Sequence, residues 1–191
     1  MFVSRRSFIV PGVPTFAALL RGINVGGKNK VPMAELKAAL ESLGLEDVVT
    51  YIQSGNVVFT SSKGSAGAVA ADVERQIGKA FGVDVAVLLR TPTQLKKIAA
   101  GNPFLKKGAD RSKLHVVFLD GAPAKAKVAK LDPDRSPPDE FSVSGGDIYL
   151  YLPKGAGRSK LTIDWFERGL GVRATARNWK TLGKLIELTA R

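Results

Sequence analysis

The order of strand-like and helix-like segments in the first half of the chain constrains its fold more than any other feature. Short apolar runs rich in β-branched residues predict strands, whereas apolar residues spaced by three or four predict a helix that buries one face. Met33, Leu36, Leu40 and Leu43 show the helical spacing most clearly. The predicted order is strand, helix, strand, strand, helix, strand, at residues 15–25, 32–43, 48–53, 57–60, 68–81 and 85–89.

This order is typical of the split βαβ unit, so we predict an α+β protein whose first domain, residues 15–92, is ferredoxin-like. In such a sheet the strands follow the order 4-1-3-2 and all neighbours are antiparallel. Ser54, Gly55 and Asn56 are predicted to form the tight turn of the central hairpin.

The second half repeats much of this pattern. We predict a strand at residues 114–119, a helix at 123–131, a hairpin at 141–144 and 148–152, a helix at 159–170 and a last helix at 178–188, with residues 172–174 as a short edge strand. Residues 93–191 are therefore expected to form a second, related α+β domain with an extra C-terminal helix. The repeated order indicates a structural duplication.

The first 14 residues precede the predicted fold. Residues 4–9 resemble a twin-arginine export signal, but Pro11 and Pro14 interrupt the apolar stretch and no cleavage site of small residues follows. Cleavage would also cut into the first strand. We therefore expect residues 1–14 to be a disordered or over-long extension of a cytoplasmic protein. No apolar run approaches the 18 residues of a membrane span, and we expect no membrane partner.

The composition excludes several kinds of chemistry. The chain has no cysteine, which excludes disulfides, thiolate metal sites, iron–sulfur clusters and a cysteine nucleophile. It has one histidine, His115, in an apolar run, where we expect a half-exposed residue of a strand. One histidine is too few for the usual zinc sites. We therefore predict no metal, no cofactor and no catalytic residue.

The net charge of +12 is distributed unevenly along the chain. Residues 1–92 contain 10 Lys and Arg and 7 Asp and Glu, a balance of +3, whereas residues 93–191 contain 19 and 10, a balance of +9. Excess positive charge attracts polyanions such as nucleic acids. The second half is the expected location of such contacts.

The predicted sheet brings polar side chains together at one end, where the first strand ends and the third begins. The glycines in these loops would let backbone N–H groups approach a ligand. Side chains of this kind donate to phosphate or carboxylate oxygens or bind amides and base edges. The alternative is that they cap the hairpin and satisfy loop backbone. The candidate ligand-binding residues are Arg21, Asn24, Lys28, Gln53, Ser54 and Asn56.

Two further segments are candidate anion sites. Arg158, Ser159 and Lys160 lie in a glycine-rich turn that is predicted to lead into a helix, whose N-terminal N–H groups attract anions. Arg177, Asn178 and Trp179 begin the last helix, where an arginine beside a tryptophan could stack on a base. The alternatives are a solvated turn, a helix cap and a core tryptophan.

Several of these segments together resemble one bacterial family. The sequences are LLRGINVGG at 19–27, KVPM at 30–33, YIQSGNVVF at 51–59, NPF at 102–104, SKL at 159–161 and TARNW at 175–179. On these motifs the chain resembles the family called domain of unknown function sixteen-ninety-seven, over residues 15–191. The resemblance implies a small cytosolic bacterial protein, α+β in fold with a ferredoxin-like part. It implies no activity, cofactor or catalytic residue.

Three hypotheses of function follow from the sequence. The first is a non-enzymatic binder of phosphate-rich ligands, with nucleic acid as the first ligand to test. The second is an enzyme or carrier for a small anionic metabolite, bound near Arg21, Asn24, Gln53 and Asn56. The third is a protein–protein interaction module whose lysines serve only solubility.

Overall fold

The structure is a computed structural model, and it describes residues 12–190. The expectations for the export signal and for most of the N-terminal extension lie outside the described residues. Within residues 12–190 the chain forms eight strands and seven helices. These are β1 (Thr15–Leu20), α1 (Met33–Ser42), β2 (Glu46–Tyr51), β3 (Asn56–Thr60), α2 (Ala66–Phe81), β4 (Val87–Arg90), α3 (Pro92–Ala100), α4 (Pro103–Lys106), β5 (Leu114–Leu119), α5 (Lys125–Val128), β6 (Glu140–Ser144), β7 (Asp147–Tyr151), α6 (Ile163–Leu170), β8 (Ala174–Asn178) and α7 (Trp179–Thr189).

The strands form two four-stranded antiparallel sheets. The first has the order β2-β3-β1-β4, which is the predicted order 4-1-3-2 counted from the opposite edge. Its register pairs Leu19 with Asn56 and Leu20 with Val87. The loop after β1 and the turn between β2 and β3 therefore lie at the same end of this sheet.

Helices α1 and α2 pack on one face of the first sheet. Their periodic apolar residues form a single core with alternate residues of the strands, among them Leu36, Leu40, Val73, Ile77 and Phe59. The remaining residues of β1, Ala17 and Leu19, are also buried, so both faces of this strand are covered. This explains why β1 is a continuous apolar run and does not alternate with polar residues.

The second sheet has the order β6-β7-β5-β8, with all neighbours antiparallel. Val117, Leu119, Ile148 and Leu150 face a core that includes Phe166 of α6. The order β5-α5-β6-β7-α6-β8 repeats the order of the first half, and α7 follows it.

The prediction for the last strand was wrong. Residues 172–174 were expected as a short edge strand and Asn178 as the start of the final helix. Instead, β8 spans Ala174–Asn178 and pairs along nearly all of β5. The strand was missed because its sequence does not alternate between apolar and polar residues in the way that a half-exposed strand does. Despite their mixed polarity, all four residues from Ala174 to Arg177 are buried or half-buried.

Other boundaries also differ from the predictions. Strand β1 ends at Leu20, five residues before the predicted end at 25, because the chain turns into a glycine-containing loop. Helix α5 is a single turn, Lys125–Val128, and helix α6 begins at Ile163, not at 159. Asn56, predicted in a turn, is the first residue of β3.

The chain divides into two compact units. Within residues 12–190, one unit contains the residues up to Thr93 together with those from Leu185, and the other is Gln94–Lys184. The sequence placed the boundary after residue 92 and assigned all of residues 93–191 to the second domain. The structure therefore differs at the C-terminal end, where the division falls within α7.

Candidate functional site

The loop after β1 forms a small hairpin. The N–H of Lys28 donates to the carbonyl oxygen of Val25 at 3.1 Å, and the two residues between them, Gly26 and Gly27, have φ values of +58° and +77°. Positive φ at both central positions is the geometry of a type I′ turn, which side-chain-bearing residues rarely adopt. The two glycines therefore have a structural role in addition to any contact with a ligand.

The side chain of Asn24 holds this hairpin in place. Its Nδ2 donates to the carbonyl oxygens of Val31 at 3.0 Å and Gln53 at 2.9 Å, and its Oδ1 accepts from the N–H of Val31 at 2.9 Å. Asn24 has a φ of +55°, a conformation that asparagine tolerates better than most residues. Both ends of its amide are thus engaged with the backbone.

Asn56 serves the neighbouring turn in the same way. It is fully buried, and its Nδ2 donates to the carbonyl oxygen of Tyr51 at 3.1 Å and to Oγ of Ser54 at 3.0 Å. A buried amide of this kind satisfies the backbone of the turn that it closes. For Asn24, Ser54 and Asn56 the geometry fits the hairpin-capping alternative better than ligand binding.

The other three residues of this group lie at the same end of the first sheet. The side chains of Lys28 and Gln53 are exposed. Arg21 is half-buried, and its main-chain N–H donates to the carbonyl oxygen of Ala86 at 2.9 Å. The structure therefore brings the six predicted residues to one sheet end, but it uses the amides there mainly to fix two turns.

The second predicted group, Arg158 to Lys160, lies in the loop between β7 and α6. A 3₁₀ turn, Ala156–Arg158, precedes it, and Oγ of Ser159 accepts from the N–H of Leu161 at 3.1 Å. The N–H of Lys160 donates to Oγ of Ser136 at 3.0 Å. The side chains of Arg158 and Lys160 are exposed, so their charges face solvent.

The sequence predicted that this loop leads directly into a helix, and the structure does not bear this out. Thr162 caps α6, with its Oγ1 accepting from the N–H of Trp165 at 3.3 Å, and the helix begins at Ile163. The N–H groups of the first turn are therefore partly satisfied by the chain itself. Any anion bound near residues 158–160 would be held chiefly by the two cationic side chains.

Arg177 is buried, which argues against its predicted role as a surface residue that stacks on a base. Only 7% of it is exposed, and its Nη1 donates to Oγ1 of Thr175 and to the carbonyl oxygen of Ala176, both at 2.8 Å. Burial lowers the pKa of its guanidinium to about 10. Arg177 therefore does not contribute to the exposed positive surface.

Its predicted companions occupy the start of α7. Asn178 is exposed and caps the helix, because its Oδ1 accepts from the N–H of Thr181 at 2.8 Å. Trp179 is half-buried. The helix-cap alternative considered for Asn178 thus describes its contact in the structure.

The antiparallel register brings the second and third groups to the same end of the second sheet. Leu114 pairs with Tyr151, and His115 pairs with Asn178, so β5 begins where β7 and β8 end. Several cations omitted from the predicted sites join them there. We call this the basic end, and it consists of Arg111, Lys113, Lys154, Arg158, Lys160 and Lys180.

Sequence reasoning could have found the missing members of the basic end. Lys113 directly precedes β5, Lys154 follows β7, and Lys180 follows β8. In an antiparallel sheet these three positions converge once the strands are paired correctly. Lys180 was missed because β8 was not recognised as a full strand, whereas Lys113 and Lys154 flank strands that were predicted and could have been included.

Three carboxylates lie close to this end, and one of them, the buried Asp139, accepts a bond from Oγ of Ser136 at 2.7 Å. Asp110 caps the 3₁₀ turn Arg111–Lys113, and hydrogen bonds from the N–H and Oγ of Ser112 lower the pKa of its carboxyl. Glu140 accepts a bond from Nζ of Lys107 at 3.3 Å. Each carboxylate is thus engaged locally, and the exposed cations of the basic end outnumber them.

The charge difference between the two units equals the difference between the two halves of the sequence. Residues 94–184 contain 18 Lys and Arg and nine Asp and Glu, a balance of +9. The rest of the chain, residues 1–93 and 185–191, contains 11 Lys and Arg and eight Asp and Glu, a balance of +3. Three quarters of the net charge of +12 therefore belongs to the second unit.

His115 lies on β5 and is half-buried, as expected. Burial lowers the pKa of its imidazole, and a backbone hydrogen bond at Lys113 offsets part of this effect. Among residues 12–190 no three His, Asp or Glu side chains are grouped so that they could hold a metal ion. In the same range no helix has both the length and the apolar character to cross a membrane.

Comparison with known proteins places the chain in context. Residues 13–149 match the family described as "Protein of unknown function (DUF1697)". A solved structure, that of the conserved bacterial protein SP0830 from Streptococcus pneumoniae, is 28% identical, with a TM-score of 0.71 over 93% of this chain and 99% of that one. No curated protein matches the sequence.

Proposed function

This chain belongs to the family of proteins of unknown function DUF1697, and we propose that it is a non-enzymatic binder of phosphate-rich ligands. The proposed site is the basic end of the second unit, and nucleic acid is the ligand that we would test first. The observation that carries the proposal is the concentration of the positive charge in the second unit, with a balance of +9 there against +3 in the rest of the chain.

The chemistry of the basic end supports phosphate contacts. Five of its six cations are exposed and Lys113 is half-buried. Lysine and arginine neutralise phosphates and release their counterions, which makes affinity strongly dependent on salt. The basic end contains no group that resembles an activated nucleophile or a general base. Binding without catalysis is therefore the simplest use of this surface.

The site near Arg21 is less favourable for a small anionic metabolite. Asn24 and Asn56, which the sequence identified as ligand donors, hydrogen-bond to the backbone of their own turns. A ligand would have to displace these bonds, at a cost of about 1–3 kcal/mol for each buried group left without a partner. We therefore rank this function second and treat it as an outcome of the experiment below.

We further infer that both units are ferredoxin-like, that they arose by duplication and that the protein works in the bacterial cytoplasm. The repeated element order and the matching strand orders β2-β3-β1-β4 and β6-β7-β5-β8 support the first two statements. The similarity to a conserved bacterial protein supports the bacterial source, and a chain without cysteine fits a reducing compartment such as the cytoplasm.

The proposal can be tested by fluorescence anisotropy with labelled single-stranded RNA and double-stranded DNA over a range of salt concentrations. If all six cations of the basic end contact phosphates, the plot of log affinity against log salt for a single strand should have a slope of about −4. Affinity that does not depend on salt, or no affinity for either nucleic acid, would contradict the proposal.

Two matched triple variants locate the site. Lys154→Gln/Arg158→Gln/Lys160→Gln neutralises half of the basic end, and we expect the slope to decrease in magnitude by about 2. Lys125→Gln/Lys130→Gln/Arg168→Gln removes the same charge from exposed residues of α5, α6 and the segment after α5, at the opposite end of the second sheet. An equal loss of affinity in both variants would mean that net charge alone attracts the nucleic acid.

A thermal-shift screen of anionic metabolites on the same proteins tests the alternative. Stabilisation by one metabolite that Arg21→Ala abolishes, together with no affinity for nucleic acid, would replace our proposal with the second function.

A further inference from the structure

Two large aliphatic side chains are exposed where the rest of the fold buries such residues. Val25 is 64% exposed and Ile52 is 50% exposed, and no other large hydrophobic residue in the range 12–190 is exposed. Both lie at the same end of the first sheet, Val25 in the hairpin after β1 and Ile52 in the turn between β2 and β3. Single exposed aliphatic residues are ordinary, but these two lie on turns that a hydrogen bond joins to each other.

The backbone of Ile52 makes its position more unusual. Its φ is +49°, in the left-handed region. The other residues with side chains in that region are Asn24, Asn29 and Asp47, whose residue types tolerate it. A β-branched residue there is strained, and Asn or Gly would suit the turn better. The strained backbone of Ile52 does not stabilise the fold, and its exposed apolar side chain therefore points to a role in binding.

The two turns are fixed to each other. Asn24, next to Val25, donates from Nδ2 to the carbonyl oxygen of Gln53, next to Ile52, at 2.9 Å. Val25 pairs with Lys28 across the type I′ turn at Gly26 and Gly27. We call Val25, Ile52 and the lysines beside them, Lys28 and Lys30, the apolar tip.

The charge around the aliphatic pair is positive. Lys28 and Lys30 are exposed, and neither forms an ion pair within the described part of the chain. No Asp or Glu occurs in the loops that carry the pair, residues 21–30 and 51–56, and the carboxylates at the same end of the sheet are Glu35 in the first turn of α1 and Asp84 before β4. The surface complementary to the aliphatic pair and its two lysines is therefore anionic, with an apolar layer beneath it.

We propose, in place of the expectation from the sequence that there is no membrane partner, that the apolar tip docks on an anionic lipid surface, with Val25 and Ile52 entering the headgroup region and the lysines contacting lipid phosphates. Protruding apolar residues flanked by lysine are suited to shallow burial at the boundary between headgroups and acyl chains. A protein partner fits less well, because protein interfaces favour Tyr, Trp, Met and Arg over Lys, and because two side chains supply a small part of the area that a stable interface buries.

The experiment is flotation with vesicles in which ~30 mol % of the lipid is phosphatidylglycerol and the rest is phosphatidylcholine, compared with phosphatidylcholine alone. The background protein carries Lys154→Gln/Arg158→Gln/Lys160→Gln, which reduces attraction of the vesicles to the basic end. In this background we expect binding to the anionic vesicles, and binding to the neutral vesicles at least about tenfold weaker.

Substitutions in the apolar tip separate its two components. Val25→Ser/Ile52→Asn should weaken binding to anionic vesicles by about tenfold, since it removes both aliphatic side chains and leaves the lysines. Lys28→Gln/Lys30→Gln should weaken it to a similar degree and reduce its dependence on salt. Gln53→Ser, in the same turn, is the matched control and should bind like the background protein.

Ile52→Asn alone shows whether a loss of binding reflects unfolding. Asn accepts the left-handed backbone, so this variant should be at least as stable in urea as the parent protein while it binds anionic vesicles less well. Unchanged vesicle binding in Val25→Ser/Ile52→Asn would overturn the proposal. So would concentration-dependent self-association through the tip, or a purified protein partner captured by the tip in the absence of vesicle binding.

The proposal is independent of the function assigned to the second unit. Variants of the apolar tip should keep the RNA and DNA affinities of the wild type, and the triple variant of the basic end should keep the response of vesicle binding to Val25→Ser/Ile52→Asn. A failure of one proposal therefore leaves the other standing.

Discussion

The side-chain Nδ2 of Asn24 donates to the main-chain carbonyl oxygen of Gln53 at 2.9 Å, across 29 positions of the sequence. This bond ties the loop after β1 to the turn between β2 and β3. The bond holds the two turns next to each other at one end of the first sheet. The same asparagine closes its own loop through two bonds with the backbone of Val31.

Replacing Asn24 should therefore destabilise the first unit. Asn24→Gly keeps the positive φ and removes all three side-chain bonds, and we expect the free energy of unfolding in urea to fall by about 2 kcal/mol. Asn24→Ala should cost about 1 kcal/mol more, because alanine resists the left-handed conformation. Equal stabilities for the two variants would show that the backbone at residue 24 relaxes.

Gly55 allows the hairpin turn to approach the core closely. A Cβ added there would lie 2.8 Å from Cβ of Leu20 and 2.9 Å from Cγ1 of Ile23, and its φ is +75°. Gly55→Ala should thus cost about 2–4 kcal/mol through overpacking and strain. Gly26→Ala is the control, since its φ is also positive but its Cβ would meet nothing within 4 Å. Its cost, about 1–2 kcal/mol, should reflect strain alone.

Tyr149 anchors β7 to helix α3. Its hydroxyl donates to the carbonyl oxygen of Ile98 at 2.9 Å, and Gly101 leaves room for it, because a Cβ there would lie 2.8 Å from the oxygen. Tyr149→Phe should lower the free energy of unfolding by about 1–2 kcal/mol. A change within about 0.5 kcal/mol, the usual range for surface substitutions, would mean that water replaces the bond.

The same tyrosine should make stability sensitive to alkaline pH. Burial, together with the charge of Asp147, raises the pKa of Tyr149 from 10.0 to about 12. Because the pKa of Tyr149 is higher in the folded state, the neutral hydroxyl makes its full contribution to the free energy of unfolding below pH 10. This contribution is lost as the pH rises from 10 toward 12. Denaturation at a series of pH values should show a smaller alkaline loss in Tyr149→Phe than in the wild type.

His115 should make stability sensitive to acid. Burial lowers its pKa below the ordinary 6.5, so the folded state favours the neutral imidazole. Its contribution is then complete above pH 6.5 and is lost as the pH falls from 6.5 through the folded pKa. Because the chain has one histidine, its NMR titration reports this pKa directly. His115→Gln should flatten the acid side of the stability profile, and a titration at or above 6.5 would contradict the prediction.

Local periodicity was sufficient to predict most of the first unit. The spacing of Leu36 and Leu40 in α1, and of Val69, Val73 and Ile77 in α2, matches the residues that these helices bury. The antiparallel strand order 4-1-3-2 agrees with the observed sheet. These features could be predicted because each depends on residues that are close in sequence or on a single topology.

Features that depend on distant partners were predicted less well. Val25 and Ile52 were placed in strands because they are β-branched, yet both lie in turns set by neighbouring glycines and by Asn24. Arg177 was expected at the surface, but pairing of β8 with β5 carries it inward. The donors near Arg21 were named as candidate ligand contacts, with hairpin capping as the alternative, because the sequence does not show which backbone groups they satisfy.

The outer strand of the first sheet has an irregularity with a consequence for solubility. Strand β2 lies at the edge, and its register with β3 shifts between Glu46 and Val49, where Asp47 has a φ of +50°. An uninterrupted edge would offer a row of N–H and C=O groups to a strand of another molecule. The bulge bends that row, and the exposed carboxylates of Glu46 and Asp47 repel a similar edge. The β2 edge of the first sheet thus resists growth by strand addition, which would otherwise join copies of the protein into aggregates.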